Sequence, residues 1–186
     1  MNPTIRCKII YGVASIMKKI HEKKIIFQDL RVFRTFLDDN CNPIICGSRF
    51  TPTYDIDPNI AHPAGHPFYL APEVFEEEIN SAFDVYTFGL FVYQMFSPNF
   101  MFNGKQIEKK TYLMSKFHDG QMLDRPKNVP DCYWELIVAC LKKVPGDRPT
   151  FAEILDELKN DQWALEEFGT KTNIDELHEY QKLIGN

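Results

Sequence analysis

The stretch Phe83–Phe96 constrains the fold more than any other, because nearly all of its residues are apolar or aromatic. A helix that is apolar on every side is stable only when other elements enclose it. Asp84 is the one charged residue in the stretch, and a carboxylate at a helix N-terminus can bind the free amides there and suits the helix dipole. We therefore expect a buried central helix whose aromatic side chains belong to the core: Phe88, Phe91, Tyr93 and Phe96.

Further helices are predicted where apolar residues recur every three to four positions or where a capping pattern opens a segment. These segments are residues 5–23, the stretch around 134–141 with Trp134 and Val138 on its apolar face, the stretch opened by Thr150-x-x-Glu153, and the stretch opened by Asn173 with Glu176. Short apolar runs at 25–27, 36–37 and 44–45, with a turn at 38–40, predict a small β-rich patch. The predicted fold class is therefore mainly α, with one small β-hairpin patch.

Residues 47–72 hold seven glycines and prolines and show no periodicity. A loop of this length is usually functional or disordered, and because it begins after a strand and ends at a helix start, we expect an ordered functional loop. Its hydroxyl groups are candidate phosphorylation sites, although ordinary loop polarity is the simpler interpretation: Thr51, Thr53 and Tyr54. His62 and His66 have the spacing of metal ligands on a helix, but Pro63 and Gly65 between them argue against a helix there.

Length, charge and cysteine usage exclude several classes of partner. The 186 residues suit one domain with a short tail, and the net charge of −5 argues against a nucleic-acid partner, which needs a basic face. No apolar run reaches the roughly 18 residues of a membrane span, so we expect no membrane partner.

The cysteines lack a C-x-x-C pair, which indicates free thiols in the reducing cytoplasm, most simply as small buried hydrophobic residues: Cys7, Cys41, Cys46, Cys132 and Cys140. None of the nine glycines forms G-x-G, so the dinucleotide fingerprint and the Walker loop are both absent.

Four ordered motifs resemble the protein kinase domain. Ile25–Leu37 (IIFQDLRVFRTFL) resembles the catalytic loop I-I-H-R-D-L-K-P-x-N-I-L-L. Leu70–Glu73 (LAPE) resembles the A-P-E end of the activation segment. Asp84–Gly89 (DVYTFG) resembles D-V-W-S-F-G, and Pro145–Phe151 (PGDRPTF) resembles the R-P-T-F element. The residues of these four motifs are most similar to those of the tyrosine-kinase-like branch of the family.

The resemblance covers residues 5–160, which implies a kinase-like C-terminal lobe, and leaves residues 161–186 as a helical tail. The Gly-rich loop and the strand lysine of the family belong to an N-terminal lobe. Only a few residues precede the first predicted helix, so the expectation is a chain without that lobe.

The resemblance places Asp29 at the position of the aspartate that accepts the proton of the substrate hydroxyl. The asparagine that binds magnesium falls at Arg34, and the aspartate of D-F-G falls at Gly47, with Arg49 nearby. Arginine cannot ligate a cation and glycine has no side chain, so both expected metal ligands are missing. The simpler interpretation of Asp29 is then that its carboxylate accepts local backbone N–H bonds and holds the loop.

Three neighbouring positions also depart from the family pattern. Phe27 and Gln28 replace the His and Arg of H-R-D, and Arg31 replaces a lysine that assists the transferred phosphate. Gln28 cannot form the salt bridge to an activation-loop phosphate that the family's Arg often makes, so the usual phosphorylation switch should be missing. Arg31 keeps the charge of the lysine but not its geometry.

The residues that support the fold are retained, by contrast. Glu73 and Arg148 match a family ion pair that ties the activation segment to the lobe, and Asp84 matches the residue that braces the backbone of the catalytic loop. The resemblance therefore implies a domain that retains the residues supporting its fold and has lost the residues that bind the metal.

The preferred hypothesis is a degenerate, catalytically inactive kinase lobe, a pseudokinase, that acts as a binding or regulatory module. Its expected partner is a protein, such as a kinase N-terminal lobe or another kinase, and no cofactor is expected. The alternative is a fragment of a Ser/Thr-type protein kinase that uses ATP and magnesium and keeps residual activity through Asp29. A third hypothesis is a helical remnant with no regulatory role.

Overall fold

A computed structural model of the chain describes residues 1–46, 51–52, 71–75, 79–97 and 123–185. Within these residues the chain forms five α-helices and three two-stranded antiparallel sheets. Buried residues of all five helices and of the first strand join one hydrophobic core. The mainly helical fold with small antiparallel sheets is confirmed.

The first helix, α1, spans Pro3–Glu22, close to the predicted 5–23. It begins after Asn2, whose side-chain oxygen accepts a hydrogen bond of 2.8 Å from the backbone N–H of Thr4. Pro3 occupies the first helical position, where its missing N–H costs no hydrogen bond. Most of the helix surface is buried, so α1 is a core element and not a surface helix.

Four short strands follow α1; the first three coincide with the predicted apolar runs, and the fourth lies in the segment predicted as a loop. They are β1 (Ile25–Ile26), β2 (Thr35–Leu37), β3 (Pro43–Ile45) and β4 (Thr51–Pro52). β2 pairs with β3, with Phe36 opposite Ile44, and β1 pairs with β4, with Ile26 opposite Thr51. The two pairings fix both ends of the loop between β1 and β2.

The second helix, α2, spans Ala82–Phe96, and all its residues from Phe83 to Met95 are buried, as the apolar run predicts. The third helix, α3, spans Asp131–Cys140 and packs across α2. The two backbones approach closely at Gly89, where an added Cβ would lie 2.7 Å from the Cβ of Cys140. The buried residues of α3 are Tyr133, Leu136, Ile137 and Cys140. Trp134 and Val138, predicted on that face, are only half-buried, because the face that meets α2 is rotated by one residue.

The fourth helix, α4, spans Phe151–Leu158 and opens with the predicted capping box. The hydroxyl of Thr150 accepts a hydrogen bond of 3.3 Å from the N–H of Glu153, and the Glu153 carboxylate accepts one of 2.7 Å from the N–H of Thr150. The bond from the Thr150 backbone stabilises the charged carboxylate and lowers the pKa of Glu153.

The sequence suggested a helical tail over residues 161–186, but the structure shows that only part of this segment is helical. A 3₁₀ turn at Asp161–Trp163 is followed by a hairpin of β5 (Glu166–Glu167) and β6 (Thr170–Lys171) and then by helix α5 (Ile174–Ile184). The predicted start of α5 is confirmed, because the Asn173 side chain accepts a hydrogen bond from the Glu176 N–H. The hairpin was not predicted.

Helix α5 packs on α1. The backbone N–H of Asn173 donates to the hydroxyl of Thr4 at 2.9 Å, and the hydroxyl of Ser15 donates to the carbonyl of Ile184 at 3.0 Å. Between these two contacts Gly12 lies so close to α5 that an added Cβ would overlap the Tyr180 hydroxyl. The C-terminal segment is therefore part of the packed core.

All five cysteines are free thiols, as their spacing predicts. Only Cys7 and Cys140 are buried, and Cys46 is exposed, so the interpretation as small buried hydrophobic residues applies to two of the five. No helix in the described part of the chain combines the length and the apolar character needed to cross a membrane.

Candidate functional site

The loop between β1 and β2 carries the motif that resembles the kinase catalytic loop, and a buried carboxylate of α2 holds its backbone. Asp84, with no exposed side-chain surface, accepts a hydrogen bond of 2.7 Å from the N–H of Phe27 and one of 2.8 Å from the N–H of Gln28. Gln28 has a φ of 61°, in the left-handed region that costs a non-glycine residue energy. The two bonds therefore stabilise a backbone conformation that is unfavourable for Gln28 by itself.

This geometry corrects one expectation about the first turn of α2. The sequence suggested that Asp84 binds the free amides of its own helix, but its carboxylate reaches the loop instead. At the start of the helix, the side-chain oxygen of Asn80 accepts a hydrogen bond of 2.9 Å from the N–H of Ala82. The bracing position implied by the kinase resemblance describes the observed contact of Asp84 better.

A histidine that the sequence analysis did not single out completes this support. Nε2 of His21, in the last turn of α1, lies 2.9 Å from Oδ2 of Asp84. The imidazole ring also packs edge-on against Phe151, with ring centroids 5.0 Å apart. No sequence signal joins residues 21 and 84, because the contact depends on how α1 and α2 pack. Asp84 thus links α1, the loop and α2.

Asp29 lies in the same loop, is 3% exposed, and faces two arginines. Nη2 of Arg31 contacts one carboxylate oxygen, and Nε of Arg34 lies 3.7 Å from the other. The carboxylate therefore carries two ion pairs, which the interpretation of Asp29 as an acceptor of local backbone bonds had not included. Arg34 is partly exposed, whereas Arg31 is mostly covered.

The family holds magnesium at this place through the asparagine of the catalytic loop and the aspartate of D-F-G. The described side chains do not fit a magnesium ion. Magnesium is bound by oxygen ligands, and Arg34, at the asparagine position, brings a positive charge to Asp29 instead. Gly47, at the second ligand position, lies outside the described residues, and within them no three His, Cys, Asp or Glu side chains could hold a metal.

Glu73 and Arg148 form a buried, two-pronged ion pair. The guanidinium donates to the two carboxylate oxygens at 2.5 and 2.8 Å, and both side chains are at most 4% exposed. The three remaining N–H groups of Arg148 donate to the backbone carbonyls of Ala82, Lys142 and Lys143. All five donors of the guanidinium are therefore used, which is the condition under which a buried ion pair stabilises a fold.

The pair joins three parts of the chain that are distant in sequence. Glu73 lies in a 3₁₀ turn at Pro72–Phe75, and Arg148 follows another 3₁₀ turn at Pro145–Asp147. The guanidinium also stacks over the ring of Tyr86 in α2, 5.0 Å from its centroid. The segment around Glu73 is thereby tied to the buried helix.

The structure brings Asp29 and the carboxylate of Asp84 together at the loop between β1 and β2. The Glu73–Arg148 pair contacts the same first turns of α2, through the carbonyl of Ala82 and the ring of Tyr86. The other sequence candidates in the long loop lie outside the described residues: Arg49, Thr53, Tyr54, His62 and His66. Thr51 is described only as part of β4.

A buried helix that braces a loop through a carboxylate, and an arginine–glutamate pair that anchors a second segment on it, define a protein-kinase-like domain. The sequence model of the protein kinase domain matches residues 2–163. The chain therefore belongs to the protein kinase domain family.

Three similar proteins come from Dictyostelium discoideum. The dual specificity protein kinase zak2 is 32% identical over 187 residues, covering 86% of this chain and 28% of zak2. The dual specificity protein kinase zakA is 30% identical over 177 residues, covering 85% of this chain and 22% of zakA. A protein named as a serine/threonine-protein kinase is 26% identical over 162 residues, covering 84% of this chain and 21% of its own length. The chain spans between about a fifth and just over a quarter of these relatives.

Proposed function

We propose that this chain is a degenerate kinase domain, a pseudokinase, that does not transfer phosphate and works as a binding or regulatory module. The observation that carries the proposal is the pairing of Asp29 with Arg31 and Arg34. The family's aspartate works beside a magnesium ion, with its carboxylate turned to a substrate hydroxyl. Here two guanidinium groups face that carboxylate.

Electrostatics support this proposal. A divalent cation close to Asp29 would also be close to Arg34, since the guanidinium lies only 3.7 Å from the carboxylate. Like charges at such distances repel, and the burial of Asp29 limits how far water can screen that repulsion. Phosphoryl transfer depends on neutralising phosphate charge with metal ions at defined positions, so this arrangement favours a loop without that chemistry.

The intact supports favour a module that is kept folded for another purpose. The bonds from Asp84 to the loop and the five donors of Arg148 maintain the family framework around a loop that has lost its metal ligand. We propose a protein as the partner, such as a kinase N-terminal lobe or another kinase. The free thiols favour a location in the cytoplasm.

The test is a phosphate-transfer assay on the natural polypeptide that carries these residues. Transfer from labelled ATP to the protein itself and to myelin basic protein is measured with magnesium and with manganese. The matched control is Asp29→Asn, which keeps the size of the side chain and removes its charge. We expect no difference between the two proteins. Metal-dependent transfer that Asp29→Asn abolishes would overturn the proposal.

The second candidate function is phosphate transfer from ATP to protein by a weak kinase. It is favoured by the retained Asp29 and by the names of the relatives, which are dual specificity and serine/threonine-protein kinases. Under this candidate function, restoring both ligands with Arg34→Asn and Gly47→Asp raises magnesium-dependent activity. An unchanged activity in a folded double variant counts against it.

A further inference from the structure

A groove lies between α3, α4 and the 3₁₀ turn Asp161–Trp163, and none of its lining residues belongs to the loop between β1 and β2, the catalytic-type loop. Its volume is about 510 Å³, within the range of sites that bind small ligands or a few side chains of a protein. Three buried apolar side chains contribute to its lining: Leu136, Ile154 and Trp163. The groove therefore offers an apolar floor between two helices.

The rim of the groove is acidic. Four carboxylates line it, and no lysine or arginine does. Asp131 is paired with Arg125 at 2.5 Å, and Glu153 belongs to its own helix cap. Glu135 and Glu157 are exposed and have no ion-pair partner among the described residues. Two negative charges are thus left for an occupant to neutralise.

Trp163 supplies a third, independent feature. The side chain lines the groove, the residue is only 6% exposed, and its indole N–H has no acceptor in the described part of the chain. Its other contacts are satisfied, since the ring packs edge-on against Tyr133 and the Trp163 carbonyl accepts a bond of 2.7 Å from the Tyr133 hydroxyl. A buried donor normally has a partner, so this indole N–H is a donor that the described residues leave unsatisfied beside the groove.

We propose that this groove binds a short basic amphipathic segment of a partner protein. The apolar side chains of the segment rest on Leu136, Ile154 and Trp163, and its lysine or arginine side chains face Glu135 and Glu157. This is the helix-in-groove type of recognition, with charge complementarity that selects a cationic partner. The inference goes beyond the proposed function, because it holds whether or not the protein transfers phosphate.

The probe is a synthetic 14-residue peptide of leucine and lysine with its leucines on one helical face. Binding is followed in a Trp134→Phe variant, in which Trp163 is the only remaining tryptophan and its emission reports the groove itself. We expect saturable binding that shifts this emission and weakens as salt is raised. A peptide with glutamate in place of lysine should not bind.

Two double variants separate the groove from general attraction to an acidic protein. Glu135→Lys with Glu157→Lys reverses the groove charges, and we expect it to weaken binding about tenfold. Asp175→Lys with Glu179→Lys makes the same change of charge at exposed positions of α5, and we expect less than a twofold effect. All four positions are exposed, so both variants should keep their fold.

Three results would overturn the proposal: no saturable binding, an unchanged Trp163 emission, or equal weakening by the two double variants. The assay contains no nucleotide or metal. The outcome of the binding assay, positive or negative, therefore does not depend on the outcome of the phosphate-transfer assay.

Discussion

The carboxylate of Asp84 lies 2.8 Å from the backbone nitrogen of Gln28 and accepts its hydrogen bond, although 56 residues separate the two. Because Gln28 has a left-handed backbone conformation, this bond joins the stability of α2 to the shape of the catalytic-type loop.

Asp84→Asn should therefore destabilise the protein by about 3 kcal/mol, since an amide can accept from one backbone N–H but turns a donor toward the other. The measurement is urea unfolding followed by circular dichroism. Asp156→Asn is the control, because Asp156 forms an exposed pair with Lys159 and its loss should leave the unfolding midpoint nearly unchanged. Equal unfolding midpoints for the two variants would contradict the bracing role of Asp84.

Arg148→Lys should cost about 3 kcal/mol, because a lysine offers at most three of the five donors that Arg148 uses and cannot bind Glu73 in a two-pronged way. The same substitution at Arg125, whose pair with Asp131 is exposed, is the matched control and should be close to neutral. Thermal and urea unfolding of both variants test the difference. A neutral Arg148→Lys would show that the buried pair does not stabilise the fold.

Gly89→Ala should destabilise by about 1–3 kcal/mol, because the new methyl group meets the Cβ of Cys140 at 2.7 Å across the contact between α2 and α3. The higher helix propensity of alanine offsets about 1 kcal/mol of strain at most. Gly146→Ala is the control, since nothing lies within 4 Å of an added Cβ there. Equal unfolding midpoints for Gly89→Ala and Gly146→Ala would contradict this prediction.

Protonation of Asp38 should lower the free energy of unfolding at acidic pH. The backbone N–H of Asn42 donates to its carboxylate at 2.7 Å, and this bond with others from Asn42 and Asn40 holds the pKa of Asp38 below its ordinary value of 3.8. A folded-state pKa below the unfolded value gives stability that is present above the unfolded pKa and lost as pH falls through the folded one.

Unfolding free energies of the wild type and of Asp38→Asn are therefore compared from pH 6 down to pH 2.5. The difference between them should shrink as Asp38 is protonated below about pH 4. A constant difference across this range would exclude the carboxylate charge as the cause.

The central helix and the main features of the core could be predicted from sequence, because they depend on local patterns. The apolar run of α2 and the Thr150–Glu153 capping box each have a period or a spacing that one structure satisfies. The supports of the site were reached through the resemblance, which named Asp84, Glu73 and Arg148.

The remaining contacts could not be predicted, because they depend on how distant elements pack or on very short elements. The contact of His21 with Asp84 needs the relative position of α1 and α2. The pairing of Arg34 with Asp29 needs the 3₁₀ turn that brings their side chains together. The β5–β6 hairpin has only two residues in each strand and turns through Phe168 and Gly169, both with positive φ, so it shows no alternation.

The docking of α5 on α1 has a consequence for the order in which the protein can acquire its structure. Thr4 is bonded to Asn173 and Ser15 to Ile184, so each contact closes a separation of 169 residues. During synthesis, one side of the first helix stays uncovered until the ribosome has released residue 184. The packing of α1 is thus completed late, after its contacts with α2 and α4 can already form.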